Sequence, residues 1–175
     1  MTNPDITSLA ASAHACIDRG NIAEAKILFD KLCSTDPQNA EAWLMTGALH
    51  GETGAIEQAE QCINTALSLQ PDYPEANLTL AHLRKAGGAV EEAYELSKKA
   101  LEVDTEYDEA WVFLGAICCD LNRFDEAERA SREAIKRWPE NAQAHISLAT
   151  SLCHLGREEE AAVSYTHLRA HETAT

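Results

Sequence analysis

Apolar and small residues recur along the chain with a period of 34 residues, through five frames that need no insertion or deletion. The frames are 6–39, 40–73, 74–107, 108–141 and 142–175. One column holds alanine in every frame, at Ala25, Ala59, Ala93, Ala127 and Ala161. A fixed period of this length predicts a solenoid of stacked helical hairpins, because each repeat buries its apolar face against its neighbours.

The second frame shows how the pattern specifies two helices. Apolar and small residues predict a first helix over about 40–53 and a second helix over 56–69. Gly54 lies between them, where glycine permits the chain to reverse, and Pro71 ends the second helix since its ring cannot continue one. The connections are short, so consecutive helices are expected to be antiparallel neighbours.

A further column of small residues predicts where the two helices of a hairpin come closest. Its members in the last four frames are Gly47, Ala81, Gly115 and Ala149. A larger side chain there would hold the helices beyond the separation of about 8–10 Å at which their ridges interlock.

These columns resemble the tetratricopeptide repeat. The fourth frame carries the family pattern at Trp111, Leu114, Gly115, Ala127, Ala134 and Pro139, and the second at Trp43, Gly47, Ala59, Ala66 and Pro71. The third frame departs from it at Asn77, Arg84, Ser97 and Thr105. The resemblance implies an all-α fold, a right-handed α-solenoid of antiparallel helix hairpins. It gives four complete repeats, 6–39, 40–73, 74–107 and 108–141, after a lead of residues 1–5.

The fifth frame keeps the pattern only as far as Ala161. Residues 163–173 resemble an in-frame translation of a common sequencing-library adapter, and Leu168 and Thr173 stand where the period predicts Ala and Pro. We therefore expect a partial fifth repeat over 142–162 and a non-native tail over 163–175, so that the chain is a fragment. The other interpretation is a divergent C-terminal helix.

Charge narrows the classes of partner. The chain has 14 Lys and Arg against 29 Asp and Glu, for a net charge of −15. Neutralising a polyphosphate or an anionic membrane requires clustered cations, so neither nucleic acid nor membrane is expected as a partner. The N-terminus lacks the basic start of a signal peptide and no apolar run reaches the roughly 18 residues of a membrane span, so a cytoplasmic location is expected.

The sequence shows no catalytic, cofactor or metal constellation. The six cysteines form no CxxC pair, and most replace apolar residues on periodic faces, where a thiol packs as a small hydrophobe. Cys119 and Cys153 share a column in adjacent frames, which leaves a redox or metal pairing as the lesser alternative. His14 and His82 share a column two repeats apart, too far to bind one metal. We expect no enzyme activity in this chain, whereas the parent protein is left open.

The resemblance also indicates a binding surface, since first helices line the concave face in this family. The positions on that face form a mostly apolar strip with little charge: Leu44, Ala48, Leu78, His82, Lys85, Val112, Phe113, Ala116, Ile146 and Thr150. Apart from Lys85, they lack the cations of family members that clamp a carboxylate, and they lack the Asn ladder of members that hold extended peptides. Two interpretations stay open, a groove for an apolar or amphipathic segment and a core that stacks between adjacent first helices.

The leading interpretation is therefore a protein-interaction scaffold that binds a peptide or helical segment in an apolar groove. The alternative is the N-terminal recognition segment of a truncated multidomain enzyme of the glycosyl-, sulfo- or methyltransferase type. A spacer without a ligand is a third possibility. The identity of the partner and the oligomeric state do not follow from the sequence.

Overall fold

The structure, a computed structural model, describes the backbone of residues 4–172 and the side chains of residues 6–165. Two helices fall in each 34-residue frame, and no strand occurs in the described part of the chain. The ten helices are α1 Pro4–Asp18, α2 Ile22–Thr35, α3 Ala40–Glu52, α4 Ile56–Leu69, α5 Pro74–Ala86, α6 Val90–Val103, α7 Asp108–Asp120, α8 Phe124–Arg137, α9 Ala142–His154 and α10 Glu158–Glu172. The expected all-α repeat of helix hairpins is confirmed.

The turn inside each hairpin requires a left-handed backbone residue at the predicted column. Glycine fills it in four hairpins, at Gly20, Gly54, Gly88 and Gly156, with φ between 71° and 83°. In the fourth hairpin Asn122 takes the same conformation, with φ 57°. Asparagine tolerates this region better than other residues with a Cβ, so the turn survives the exchange.

Three of the first helices, α3, α7 and α9, have a side-chain hydrogen bond from the fourth repeat position to the carbonyl six residues before it. The Trp43 indole donates to the carbonyl of Pro37 at 3.0 Å, and the Trp111 indole donates to that of Thr105 at 2.9 Å. His145 Nε2 occupies the same position, 2.8 Å from the carbonyl of Pro139. These bonds fix the entry of the chain into the three helices.

The chain divides into two compact units, Met1–Leu83 and Arg84–Thr175. In the N-terminal unit α3 packs directly on α4 at the small residue predicted for closest approach. A Cβ added to Gly47 would lie 2.6 Å from Ile63 Cγ1 and 3.0 Å from the carbonyl oxygen of Ala59. Ala59 and Ile63 are fully buried, so this contact lies in the core of the unit.

The C-terminal unit repeats the arrangement between α7 and α8. A Cβ on Gly115 would lie 2.7 Å from Ser131 Oγ, and Ala127 and Ala134 are fully buried beside it. Arginines in the turns add links between second helices: Arg123, before α8, pairs with Glu91 of α6. One period later Arg157, before α10, pairs with Glu128 of α8 at 2.6 Å.

Candidate protein-interaction surface

Eight of the ten candidate residues lie at the fifth and ninth positions of the repeats, on the first helix of a hairpin, whereas Lys85 and Phe113 lie at the twelfth and the sixth. We call this surface the first-helix face and describe it separately in the two units. Its members at these positions are Ala10, His14, Leu44, Ala48, Leu78 and His82 in the N-terminal unit, and Val112, Ala116, Ile146 and Thr150 in the C-terminal unit.

In the N-terminal unit the two large apolar candidates are core residues. Leu44 is 6% exposed and Leu78 is 4% exposed, so their side chains offer almost no area to a ligand. Ala48 is half-buried and His82 is exposed. The N-terminal first-helix face is therefore shallow, with small residues above a filled core.

The helices of this face are adjacent, because contacts join α1 to α3 and α3 to α5. His14 Nε2 lies 3.4 Å from a Glu41 carboxylate oxygen. A Cβ on Gly51 would lie 3.0 Å from Leu83 Cδ2. The three first helices thus present one continuous surface within this unit.

In the C-terminal unit the apolar side chains are more open. Ile146 is 41% exposed on α9, and Val112 is half-buried on α7. Ala116 and Thr150 lie one turn further along their helices and are half-buried too. The Cys119 thiol donates to the carbonyl of Ser147 at 3.4 Å, which holds α7 against α9. Three of these four residues are apolar and the fourth, Thr150, carries a hydroxyl, and they lie on two neighbouring helices, whereas Phe113 is 7% exposed and belongs to the core.

Lys85 brings a cation to the edge of the C-terminal face, but that cation is already paired. Its Nζ lies 2.9 Å from an Asp120 carboxylate oxygen and 5.7 Å from the centre of the Phe113 ring. A ligand carboxylate would have to compete with Asp120 for this ammonium group.

The cysteines and histidines build no metal centre in the described residues, where no group of three or more His, Cys, Asp or Glu could hold an ion. Burial raises the pKa of Cys33, Cys62 and Cys119, and raises that of Cys118 to about 12. Since the thiolate is the reactive and metal-binding form, these thiols remain protonated and inert at neutral pH.

Sequence reasoning missed the acidic character of the N-terminal first-helix face. Glu41, Glu52 and Glu75 are exposed and lie on the same helical stripe as the ninth repeat position, seven residues before it or four after it. The signal was available in the sequence, because the first helices of this unit contain no Lys or Arg between residues 6 and 18, 40 and 52, or 74 and 83.

Comparison with known families agrees with the helical pattern. One model of the tetratricopeptide repeat matches residues 16–83, and another matches residues 119–169. This chain contains tetratricopeptide repeats. The unmatched segment between these ranges includes most of the third frame, whose Trp, Tyr, Phe and Pro positions are filled by Asn77, Arg84, Ser97 and Thr105.

Solved structures with similar repeats cover nearly the whole chain. A crystal structure of MamA is 21% identical, with a TM-score of 0.79, over 93% of this chain and 95% of that one. MamA from Desulfovibrio magneticus RS-1 is 15% identical, with a TM-score of 0.83, over 100% and 99%. PilW, a type IV pilus biogenesis factor, is 20% identical, with a TM-score of 0.84, over 97% of this chain and 78% of that one. These likenesses establish the tetratricopeptide fold.

No curated protein matches the sequence. Within residues 4–172, no helix is both long enough and apolar enough to cross a membrane.

Proposed function

We propose that this tetratricopeptide array is a protein-interaction module, and that its C-terminal first-helix face binds an apolar or amphipathic segment of a partner protein. The observation that supports this most is the open apolar surface of α7 and α9, where Ile146 is 41% exposed beside Val112, Ala116 and Thr150. A helix laid across two neighbouring helices buries its apolar side chains between them, and that burial supplies the affinity.

The buried candidates then have a supporting role. Phe113 is 7% exposed on α7, the helix that carries Val112 and Ala116, so it is packed before any ligand arrives. A pre-formed surface binds at lower entropic cost than one that must first be ordered. The residues that contact the partner are expected to be Ile146, Val112 and Thr150.

Selection from a displayed library of random peptides, using the whole chain as bait, tests this proposal. We expect peptides whose affinity falls at least tenfold when Ile146→Glu places a charge in the apolar surface. Val103→Glu is the matched control, since Val103 is 39% exposed at the end of α6, a second helix. Peptides that bind both variants like the wild type, or a failure to select any peptide, would refute the C-terminal face as the binding site.

We also propose that residues 163–173 derive from a sequencing adapter and that the parent protein differs from this chain beyond residue 162. The support is the break in the repeat pattern, since Leu168 and Thr173 stand where the period predicts Ala and Pro. Sequencing independent clones across codon 162 tests this: a natural reading frame through the junction would contradict it. The downstream sequence would also decide whether the repeats precede a catalytic domain.

A further inference from the structure

The first hairpin is exposed at a repeat position that is buried in every later hairpin. This is the seventh position of the repeat, which is at most 9% exposed in the four later hairpins, at Thr46, Leu80, Leu114 and Leu148. In the first hairpin the same position is Ser12, which is exposed to solvent. The first hairpin therefore presents a surface that the later hairpins bury.

Two of the later hairpins show what covers this position. Cys33 Sγ of α2 lies 3.4 Å from Thr46 Oγ1 of α3, and Ile135 of α8 packs against the cluster that contains Leu148 of α9. In both cases the cover is the second helix of the preceding hairpin. In the first hairpin a cleft of about 490 Å³ opens instead, and the described residues that line it belong to α1 and α2. We call this side of α1 and α2 the outer side of the first hairpin.

The outer side is apolar and carries little charge. Residues 6–17 of α1 contain no Asp, Glu, Lys or Arg, although the chain has 29 acidic residues. Ile6, Leu9 and Leu28 supply the apolar lining of the cleft, and Ile27, next to it on α2, is 67% exposed. A terminal repeat normally presents a polar face to solvent, so an apolar one is suited to being covered by another chain.

The exposed stripe of α2 is complementary to itself. Glu24, Ile27, Leu28 and Lys31 are spaced by three, four and seven residues, which places them on one side of the helix. When a second copy of this stripe runs antiparallel, with a two-fold axis between residues 27 and 28, Glu24 of each copy lies opposite Lys31 of the other. Within the described residues Lys31 forms no ion pair, and the Glu24 side chain is bonded only to Asn21. Both charges are therefore available to a second copy.

We propose that the chain forms a two-fold symmetric dimer through the outer side of its first hairpin, with the two copies of α2 antiparallel. Ile27 of each copy packs toward Leu28 of the other, and the pair of Glu24 with Lys31 forms twice, once on each side of the axis. An interface of this symmetry requires a surface that is complementary to itself. Chains with a net charge of −15 repel one another, so they associate most readily where acidic residues are balanced or absent.

Sedimentation equilibrium of the full chain measures the dissociation constant of this dimer. Ile27→Glu places two carboxylates at the centre of the interface and should raise that constant by at least about tenfold. Because Ile27 is 67% exposed, the variant is expected to keep its fold, which circular dichroism checks. Val103→Glu is the matched control, since it puts the same charge at an exposed apolar residue of α6, and it should change the constant by less than about twofold.

Glu24→Lys and Lys31→Glu test the antiparallel pairing without touching the apolar residues. Each variant alone places like charges opposite each other at two contacts. Since an exposed ion pair contributes up to about fivefold, each should weaken the dimer by at least about tenfold. An equimolar mixture of the two variants restores opposite charges at both contacts, so the mixture should associate more tightly than either variant alone.

Four outcomes would overturn the inference: a wild type that stays monomeric up to about 1 mM, a dimer that Ile27→Glu leaves unchanged, equal weakening by Val103→Glu, or a mixture that associates no better than its components. Each of these leaves the proposed function standing, because that function is tested at Ile146 on the C-terminal first-helix face.

Discussion

Gly47 shows how a single missing side chain sets the distance between α3 and α4. A Cβ there would meet Ile63 Cγ1 at 2.6 Å and the backbone carbonyl of Ala59 at 3.0 Å, closer than real side chains allow. The two helices would therefore have to separate, which loses buried contacts on both.

Gly47→Ala is accordingly expected to destabilise the chain, although alanine favours helix. Overpacking costs about 1–3 kcal/mol, which outweighs the gain of up to about 1 kcal/mol in helix propensity. Gly51→Ala, one turn later in α3, is the matched control, since its Cβ would meet the flexible end of Leu83 at 3.0 Å and Ala59 Cβ at an ordinary contact distance of 3.9 Å. In urea unfolding, Gly51→Ala should have a higher free energy of unfolding than Gly47→Ala. The reverse order would contradict the close approach of α3 to α4.

Asn77 is the residue at which the third frame departs furthest from the family pattern. It is fully buried, its amide donates to the carbonyl of Tyr73 at 3.0 Å, and its Oδ1 has no hydrogen-bond partner. That carbonyl also accepts the backbone N–H of Asn77 at 3.1 Å, so it would stay satisfied without the side chain.

Asn77→Leu should therefore stabilise the protein by about 1–2 kcal/mol, because it removes a buried unpaired acceptor while keeping the volume. Thermal unfolding followed by circular dichroism measures the effect. Asn77→Ala is the control, since it removes the same acceptor and leaves a cavity. A destabilised Asn77→Leu would mean that the amide is worth more than its one hydrogen bond.

At the scale of the helices, the sequence predicted the helix bounds well. It did not predict which side chains of the first-helix face are exposed to solvent. The bounds 56–69 for α4 agree with the structure, and α3 ends at Glu52, one residue before the predicted end. Periodicity and turn residues decide such bounds locally. Exposure does not follow from the column alone: Leu44 and Ile146 share a repeat position, yet the first is 6% exposed and the second 41%.

The reason is that exposure depends on neighbours distant in sequence. Links such as that from Arg157 to Glu128 join residues 29 apart, and no period specifies which carboxylate an arginine will reach. The small residue at Gly47 was predictable, because a close contact between two helices requires a small side chain at the point of contact. The exposed carboxylates of the N-terminal first-helix face, Glu41, Glu52 and Glu75, could have been found once the helix bounds were known.

The turn between α7 and α8 gives a prediction at the same scale. Asn122 is the one non-glycine residue with positive φ within residues 4–172, at 57°, and its N–H donates to the carbonyl of Cys119 at 3.0 Å. Asn122→Ala should cost about 1 kcal/mol, since alanine adopts the left-handed region less readily than asparagine does. Asn122→Gly should be neutral or slightly stabilising. Chemical unfolding of both variants checks the order.

Across the whole molecule, acidic residues outnumber basic ones by 29 to 14, so the placement of each cation affects how stability responds to pH. In the C-terminal unit Arg137 holds Glu106 through two hydrogen bonds of 2.7 and 2.8 Å. This hydrogen bonding lowers the pKa of Glu106, and that of Glu160 is lowered in the same way by Arg157.

A carboxylate whose pKa is lower in the folded state stabilises the fold above its unfolded pKa, and this contribution is lost as the pH falls through the folded value. Glu106→Gln should therefore lower the melting temperature at pH 7 by a few degrees at most, about 1–4 °C, because the pair is exposed. As the pH falls through the lowered folded pKa of Glu106, the difference between the variant and the wild type should disappear, since Glu106 is then protonated in both states. Comparing the variant with the wild type at each pH cancels the general loss of charge repulsion that acid causes in a chain this acidic.

Glu102→Gln removes an exposed carboxylate from the end of α6 and is the control at both pH values. A difference between Glu106→Gln and the wild type that persists in acid would show that Glu106 stabilises the unit by something other than its charge.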